Sequence, residues 1–63
     1  MYQVNVYYNN KIEEITYNCK TIEEASKERY KKISKWFKKY EALGKKYDEI
    51  CELLHIEIKE QEG

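Results

Sequence analysis

The sequence predicts a small α+β domain in which an N-terminal β-hairpin packs on a long amphipathic helix. Residues 2–8 and 15–19 alternate between apolar and polar side chains, and this period of two is typical of half-buried strands. Over residues 21–43, large apolar residues recur at steps of three and four, as they do on the buried face of a helix. Later the helical spacing resumes and then changes to alternation at Leu54, which predicts a second short helix and a possible third strand. The expected element order is ββααβ, in one compact domain of residues 1–63.

The hairpin turn is indicated by Asn9 and Asn10, because Asn tolerates the left-handed backbone conformation that tight turns require. A two-residue turn there would place Glu13 opposite Val6, on the buried face. We therefore expect either a four-residue loop, residues 9–12, or a bulge at residues 13–14. Both arrangements match the apolar faces of the strands through the same three pairs: Val6 with Ile15, Val4 with Tyr17, and Tyr2 with Cys19.

The central helix has a defined start and a defined end. Thr21 and Glu24 have the spacing of a capping box, and Glu23 adds negative charge to the first turn, where the helix dipole favours it. Gly44 is a natural residue just beyond the C-terminus. At about 100° per residue, the bulky apolar side chains fall within an arc of roughly 140°, on which we expect the hairpin to pack. These side chains are Ile22, Ala25, Tyr30, Ile33, Trp36, Phe37, Tyr40 and Leu43.

Two interpretations are open for the chain after the central helix. The apolar spacing from Ile33 to Leu54 is unbroken across Gly44, which is typical of a coiled-coil seam. One continuous helix would then need a partner, such as a second copy of the chain. Alternatively the helix breaks at Gly44, because glycine inside a helix costs about 1 kcal/mol. We favour the break, which would let an acidic second helix, beginning near Tyr47, fold back on the basic first one.

Twelve basic and twelve acidic residues cancel, but they are segregated along the chain. Residues 27–46 carry nine Lys or Arg and two Glu, a local net charge of +7. Four of these lysines share one side of the helix and three lie nearby, and we name the seven the lysine ridge: Lys27, Lys31, Lys35, Lys38, Lys39, Lys45 and Lys46. The ridge is a candidate surface for binding phosphates or an acidic protein. The alternative is a solvated helix face, partly neutralised by three i,i+4 pairs: Glu23–Lys27, Glu28–Lys32 and Glu41–Lys45.

Tyr7 and Tyr8 form a second candidate contact surface. Tyr7 should point to the outer side of the first strand, and Tyr8 should lie beside the turn. Exposed tyrosine is favoured in protein interfaces because it offers a large contact area at little cost in entropy. The alternative is ordinary packing on the sheet surface. An unpaired edge of the hairpin would also be open to strand addition by a partner or by a second copy.

No pattern of residues predicts catalysis, a bound cofactor or a metal site. Cys19, Cys51 and His55 lack the spacing of metal ligands, and we expect the two thiols to be small core residues in a reduced, cytoplasmic protein. We expect neither a signal peptide nor a transmembrane segment, because the sequence has no apolar run of the required length. The single arginine, Arg29, argues against sequence-specific DNA binding, because arginine is the commonest reader of base edges.

These observations predict a non-enzymatic protein that binds another macromolecule through the lysine ridge and the outer face of the hairpin. A very small, proline-free chain rich in Lys, Glu, Tyr, Ile and Asn resembles accessory proteins of phages and other mobile elements from AT-rich bacteria. That resemblance implies a host nucleic-acid-handling protein as the partner, modulated or inhibited in the manner of anti-CRISPR proteins. Two alternatives are nonspecific nucleic-acid binding by the lysine ridge and a structural homodimer packed along the C-terminal helix.

Overall fold

A computed structural model describes residues 1–61 of the chain. Two strands come first, β1 (Tyr2–Tyr8) and β2 (Lys11–Cys19), followed by helices α1 (Ile22–Ala42) and α2 (Tyr47–Leu53) and a last strand, β3 (Leu54–Glu60). The predicted order ββααβ is confirmed, including the third strand. The three strands form one antiparallel sheet in the order β2-β1-β3, so β1 lies in the middle.

Alternation sorts the side chains of β1 and β3 between the two faces of the sheet. The apolar residues on the helix side pair directly across the two strands: Val4 with Ile58, Val6 with Ile56, and Tyr8 with Leu54. On the other, open face, exposed His55 and Glu57 of β3 lie opposite Tyr7 and Asn5 of β1. The prediction that the apolar residues of β3 share one side is confirmed.

The hairpin closes through the two-residue turn rather than a four-residue loop. Asn9 and Asn10 have φ values of 52° and 65°, and Tyr8 pairs directly with Lys11. Strand β2 has nine residues and β1 has seven, and two bulges absorb the difference. The observed pairs at the three positions considered above are Tyr2–Cys19, Val4–Thr16 and Val6–Glu14.

The pair farthest from the turn is therefore predicted correctly, and the other two predicted pairs are each wrong by one residue. The bulge nearer the turn puts Glu14 opposite Val6, on the helix side, and moves Ile15 to the open face opposite Asn5. From the sequence, an acid is not expected at this position because the burial of an unpaired charge is costly. Glu14 is tolerated there because side chains of α1 bind its carboxylate.

Helix α1 begins with the predicted cap. The Thr21 hydroxyl oxygen accepts a hydrogen bond from the backbone N–H of Glu24 at 3.1 Å. The reciprocal half of the capping box differs by one residue, because the Glu24 carboxylate accepts from the backbone N–H of Lys20 at 3.0 Å rather than from that of Thr21. One unpaired donor in the first turn, the N–H of Glu24, is satisfied in this way, and so is the N–H of Lys20 just before the cap.

Gly44 ends α1, so the favoured interpretation is confirmed and the single continuous helix is wrong. Its φ of 88° lies in the left-handed region. The N–H of Gly44 donates to the carbonyl oxygen of Glu41 at 2.9 Å, and the N–H of Lys45 donates to that of Tyr40 at 3.0 Å. Together these two bonds form a Schellman motif, which satisfies the last carbonyls of the helix.

Helix α2 packs on α1 through apolar side chains rather than through charges. Ile50 is fully buried, and the Phe37 and Tyr47 rings lie 5.1 Å apart between centroids. Within residues 1–61 no ion pair joins the two helices, so the expected attraction between an acidic and a basic helix is not observed. Ile50 of α2, which a homodimer would place in the seam between two copies, is part of the chain's own core.

The buried face of α1 is narrower than the predicted arc. Ala25, Trp36 and Tyr40 are buried, and Ile33 and Phe37 are half-buried. Three residues predicted to face the core are exposed: Ile22 by 50%, Tyr30 by 70% and Leu43 by 65%. The sheet therefore covers the middle of α1 and leaves its ends and one flank in solvent.

Two clusters of buried side chains make up the core. The larger one joins three elements, β1, α1 and α2, and contains Val6, Tyr8, Trp36, Tyr40 and Ile50, and the smaller one contains Val4, Cys19 and Ala25. Within the larger cluster the Tyr8 and Tyr40 rings stack, with centroids 3.7 Å apart and planes inclined by 14°. This stacking fixes the turn end of β1 against the C-terminal half of α1.

Candidate binding surfaces

The lysine ridge lies on the solvent side of α1 and in the loop that follows. At about 100° per residue, Lys27, Lys31, Lys35 and Lys38 fall within an arc of about 80°, and all seven ridge lysines are exposed. None of the three i,i+4 pairs expected from the sequence is present in the described residues. The ion pairs found instead are Lys31–Glu28 at 3.6 Å, Lys45–Glu49 at 3.8 Å, and those of Lys32 and Lys35 with Glu14.

The Glu14 carboxylate of β2 fixes one flank of α1 to the sheet. Its Oε1 accepts a hydrogen bond from the Trp36 indole N–H at 3.0 Å and one from the Lys35 ammonium group at 2.9 Å. Its Oε2 forms an ion pair with Lys32. The hydrogen bond from Lys32, assisted by those from Lys35 and Trp36 and opposed by desolvation, lowers the pKa of Glu14 to about 2. The carboxylate is therefore ionised at neutral pH and acts as an anchor between β2 and α1.

Two members of the lysine ridge belong to this anchor rather than to a free surface. The ammonium nitrogens of Lys39 and Lys35 lie 4.4 Å and 5.6 Å from the centroid of the Trp36 ring. Both distances allow cation–π attraction, which contributes about 0.5–1 kcal/mol at an exposed site. Lys35 and Lys39 thus shield the edge of the core while they remain partly in water.

The remaining charge of the ridge faces solvent. Lys27, Lys38 and Lys46 make no ion pair within residues 1–61. Lys31 does pair with Glu28, but its side chain is 74% exposed. Ion pairs between exposed groups contribute little because water screens them and the long side chains lose entropy. The ridge is therefore divided into a structural flank beside Glu14 and a solvent-facing row of cations.

The two tyrosines proposed as a contact surface have different environments. Tyr7 is half-buried on the open face of the sheet, where it pairs with Ile12 of β2 and His55 of β3. Tyr8 is only 8% exposed and lies under Tyr40, so the expectation that it offers an exposed ring is wrong. Tyr8 is buried because the alternation of β1 places its side chain on the helix side of the sheet, although the residue lies beside the turn.

A groove separates α1 from α2 and the start of β3. It encloses about 530 Å³, and its apolar lining includes Ile33, Phe37, Ile50, Leu54 and Ile56. This groove is not among the sites predicted from the sequence. The sequence feature that could have indicated it is the width of the apolar arc on α1, because a three-stranded sheet and a two-turn helix cannot cover the whole arc.

The cysteines do not share an environment. Cys19 is buried, as predicted, and burial raises the pKa of its thiol, with a further increase from the negative charges of Glu24 and Glu28. Cys51 is exposed at the groove, so its expected place in the core is wrong. Among residues 1–61 no three His, Cys, Asp or Glu side chains come together in a group that could hold a metal ion. No helix in that part of the chain is long and apolar enough to cross a membrane.

The chain matches no protein-family model, no curated protein and no solved structure.

Proposed function

We propose that this chain is a non-enzymatic binding protein whose lysine ridge holds an acidic surface of a partner protein. The observation that supports the proposal most directly is the uncompensated row of cations on the solvent side of α1. Lys27 and Lys38 make no ion pair within residues 1–61, and the pair of Lys31 is too exposed to neutralise it. The ammonium groups of Lys27 and Lys38 are thus free to meet carboxylates of a partner, and that of Lys31 is held only by an exposed ion pair.

The helix that carries these lysines is held rigidly. Its start is capped by Thr21, its end is closed by Gly44, and its middle is fixed to the sheet by Glu14 and Trp36. A preorganised surface loses less conformational entropy on binding than a flexible one, so more of the electrostatic attraction contributes to affinity. Only the lysine side chains themselves must become ordered.

We further propose that the partner is a host nucleic-acid-handling protein and that the chain is an accessory protein of a phage or mobile element, of the anti-CRISPR kind. The size and the proline-free, Lys-, Glu- and Tyr-rich composition support this class of protein. Enzymes that cleave or copy nucleic acids carry clusters of carboxylates that hold divalent metal ions. A row of ammonium groups is complementary to such a cluster, and its binding there would inhibit the enzyme.

Affinity capture from a cell lysate tests the proposal. We expect the wild-type chain to retain a protein that nuclease treatment does not release. A ridge variant with Lys27→Glu, Lys31→Glu and Lys38→Glu should lose that protein, because three attractions become repulsions. The matched control reverses three exposed lysines that lie outside the ridge: Lys11→Glu, Lys20→Glu and Lys59→Glu.

The control variant has the same net charge as the ridge variant, so any difference between them reports the position of the charges. Equal retention of the protein by both variants would refute a role for the ridge. Release of all retained material by nuclease would favour the second candidate function, direct binding of nucleic acid.

Nonspecific nucleic-acid binding is the second candidate because the same free ammonium groups could neutralise phosphates. It predicts that the logarithm of the affinity for random-sequence duplex DNA falls steeply with the logarithm of the salt concentration. Each phosphate contact contributes about 0.9 to this slope, so the ridge variant should lower the slope by about 3. An absence of binding to DNA at low salt would exclude this candidate.

A further inference from the structure

The groove between α1, α2 and β3 has the size and lining of a binding site. Its volume of about 530 Å³ lies within the usual range for sites that bury a ligand. At one end stands Tyr47, which is 67% exposed although its ring packs against Phe37. An aromatic side chain this exposed beside an apolar groove offers contact area that the chain's own fold does not use.

The wall that α1 contributes has a regular shape. Arg29, Ile33, Phe37 and Glu41 all line the groove and follow one another at steps of four residues. Rows of side chains at this spacing are the ridges between which the side chains of a second helix pack. From Arg29 to Glu41 the wall is about 18 Å long, which corresponds to about three turns of helix.

The charge at the groove is mainly positive. Lys38 belongs both to the groove and to the lysine ridge. Arg29 also lines the groove, where its Nε–H donates to the carbonyl oxygen of Ile56 at 3.5 Å, and no carboxylate pairs with its guanidinium group within residues 1–61. Against these two cations, Glu41 is the single acid in the described lining. The groove therefore favours an occupant with carboxylates beside an apolar surface.

We propose that the groove docks an amphipathic helix of the partner protein, about three turns long, with one apolar face flanked by carboxylates. This inference rests on the function proposed above and adds the chemistry of the partner segment. Its apolar side chains, spaced at i, i+4 and i+7, enter between Phe37 and Ile56. Its carboxylates meet Arg29 and Lys38 at the rim, and from there the partner continues onto the lysine ridge.

Synthetic peptides test the proposal without knowledge of the partner. The probe is a helical peptide of ~15 residues with Leu at i, i+4, i+7 and i+11 and mostly Glu elsewhere. One matched peptide has Lys in place of Glu. A second keeps the composition but scatters the leucines around the helix. We expect the acidic amphipathic peptide to bind and both matched peptides to bind far more weakly.

Two thiols in the chain provide a direct readout. Cys51 is exposed at the groove, whereas Cys19 is buried and has a raised pKa, so iodoacetamide should label Cys51 first. A peptide in the groove covers Cys51. At a peptide concentration ten times its Kd, labelling of Cys51 should slow by about tenfold, because only the free fraction reacts. Labelling of Cys19 in the same sample reports any unfolding.

A pair of equivalent substitutions locates the site. Tyr47→Glu places a carboxylate at the end of the groove, and Tyr17→Glu makes the same change at an exposed tyrosine of β2, away from it. Measured by fluorescence anisotropy, the first should weaken binding of the acidic peptide by about tenfold or more. The second should leave the affinity unchanged.

The proposal is overturned if the three peptides bind alike, if Cys51 is labelled equally with and without the acidic peptide, or if both tyrosine variants bind as the wild type does. These results would leave the proposed function standing, provided that the ridge variant still loses its captured protein. If the ridge variant loses the captured protein and Tyr47→Glu retains it fully, the partner contacts the ridge but not the groove. Equal capture by all variants would refute the proposed function instead.

Discussion

The Glu14 carboxylate joins the edge strand β2 to the middle of α1 through three donors that lie within about one turn of the helix. A carboxylate beside an apolar core would be costly without partners, but Lys32, Lys35 and the Trp36 indole supply them. Trp36 itself is 6% exposed, so the bond to Glu14 also satisfies an indole N–H that would otherwise be buried without an acceptor. The same contacts therefore satisfy a carboxylate of β2 and an indole N–H of α1.

This arrangement makes the stability of the domain depend on pH. Because the pKa of Glu14 is lowered from 4.5 to about 2, its ionised form stabilises the folded state. That stabilisation is fully present above pH 4.5 and is lost as the pH falls through 2. Since the lysines are partly solvated, we expect a contribution of about 1–2 kcal/mol to the free energy of unfolding.

Urea denaturation followed by Trp36 fluorescence checks this prediction. Glu14→Gln should lower the free energy of unfolding by about 1–2 kcal/mol at pH 6, and the difference from wild type should shrink as the pH falls from 4.5 toward 2. Glu57→Gln, at an exposed position on the open face of β3, serves as the control and should change the stability by less than about 0.5 kcal/mol. A difference between wild type and Glu14→Gln that stays constant with pH would contradict the assignment.

The secondary-structure elements show which sequence signals are local. Thr21 and Gly44 bound α1 as predicted, because capping and the left-handed conformation depend on the residues themselves and on neighbours within one turn. A bulge at residues 13–14 is one of the two arrangements that the sequence predicts, and a bulge is present there, but the resulting pair of Val6 with Glu14 could not be predicted in the same way. That pair depends on the acceptor that Trp36 requires from Glu14, and the two residues are about twenty positions apart in the chain.

Gly44 provides a test of helix termination at the level of one element. A Cβ at this position would meet no atom within 4 Å, so a substitution there changes only the backbone energy. With a φ of 88°, Gly44→Ala should destabilise the domain by about 1 kcal/mol. Gly44→Asn should cost less, because Asn adopts the left-handed region more readily.

Thermal and urea unfolding of the two variants measure the difference. Equal destabilisation by Ala and Asn would show that the cost arises from something other than backbone conformation. An unchanged stability of Gly44→Ala would indicate that α1 continues through residue 44, as in the discarded continuous helix.

The relative lengths of the helix and the sheet explain why the apolar pattern of α1 predicts a wider buried face than the structure has. Helix α1 has 21 residues and is about 31 Å long, whereas the central strand has seven residues and is about 23 Å long. The ends of the helix therefore extend beyond the sheet, which leaves Ile22 and Leu43 in solvent. Tyr30 is exposed for a different reason, because it lies on the flank of α1 away from Glu14. Periodicity in a sequence predicts a direction of burial but not the extent of the surface that covers it.

The same geometry accounts for the groove. Helix α2 has seven residues, or about two turns, and covers only the C-terminal part of that flank of α1. The position of four ridge lysines on one exposed side of α1 could be predicted from the sequence, since it follows from helical spacing. The structural roles of Lys32, Lys35 and Lys39 could not, because they depend on the position of Glu14 across the sheet.

A domain of this size depends strongly on each core residue. A 63-residue chain is expected to have a free energy of unfolding of about 3–9 kcal/mol. Ile50 is fully buried and links α2 to the cluster of Val6, Trp36 and Tyr40. Truncation of such a side chain removes buried apolar area and leaves a cavity, at a cost of about 2–5 kcal/mol. We expect Ile50→Ala to lose much of the stability of the whole domain, and not only of α2.

Two spectroscopic probes distinguish global from local loss of structure. Trp36 fluorescence reports the core and far-UV circular dichroism reports the backbone, and in Ile50→Ala both should show one transition at the same, lower urea concentration. Cys51→Ala, at the adjacent exposed position, should unfold close to wild type. If the backbone signal of Ile50→Ala changed while the Trp36 transition stayed in place, α2 would be an independent unit. The groove that it forms with α1 would then open without unfolding of the domain.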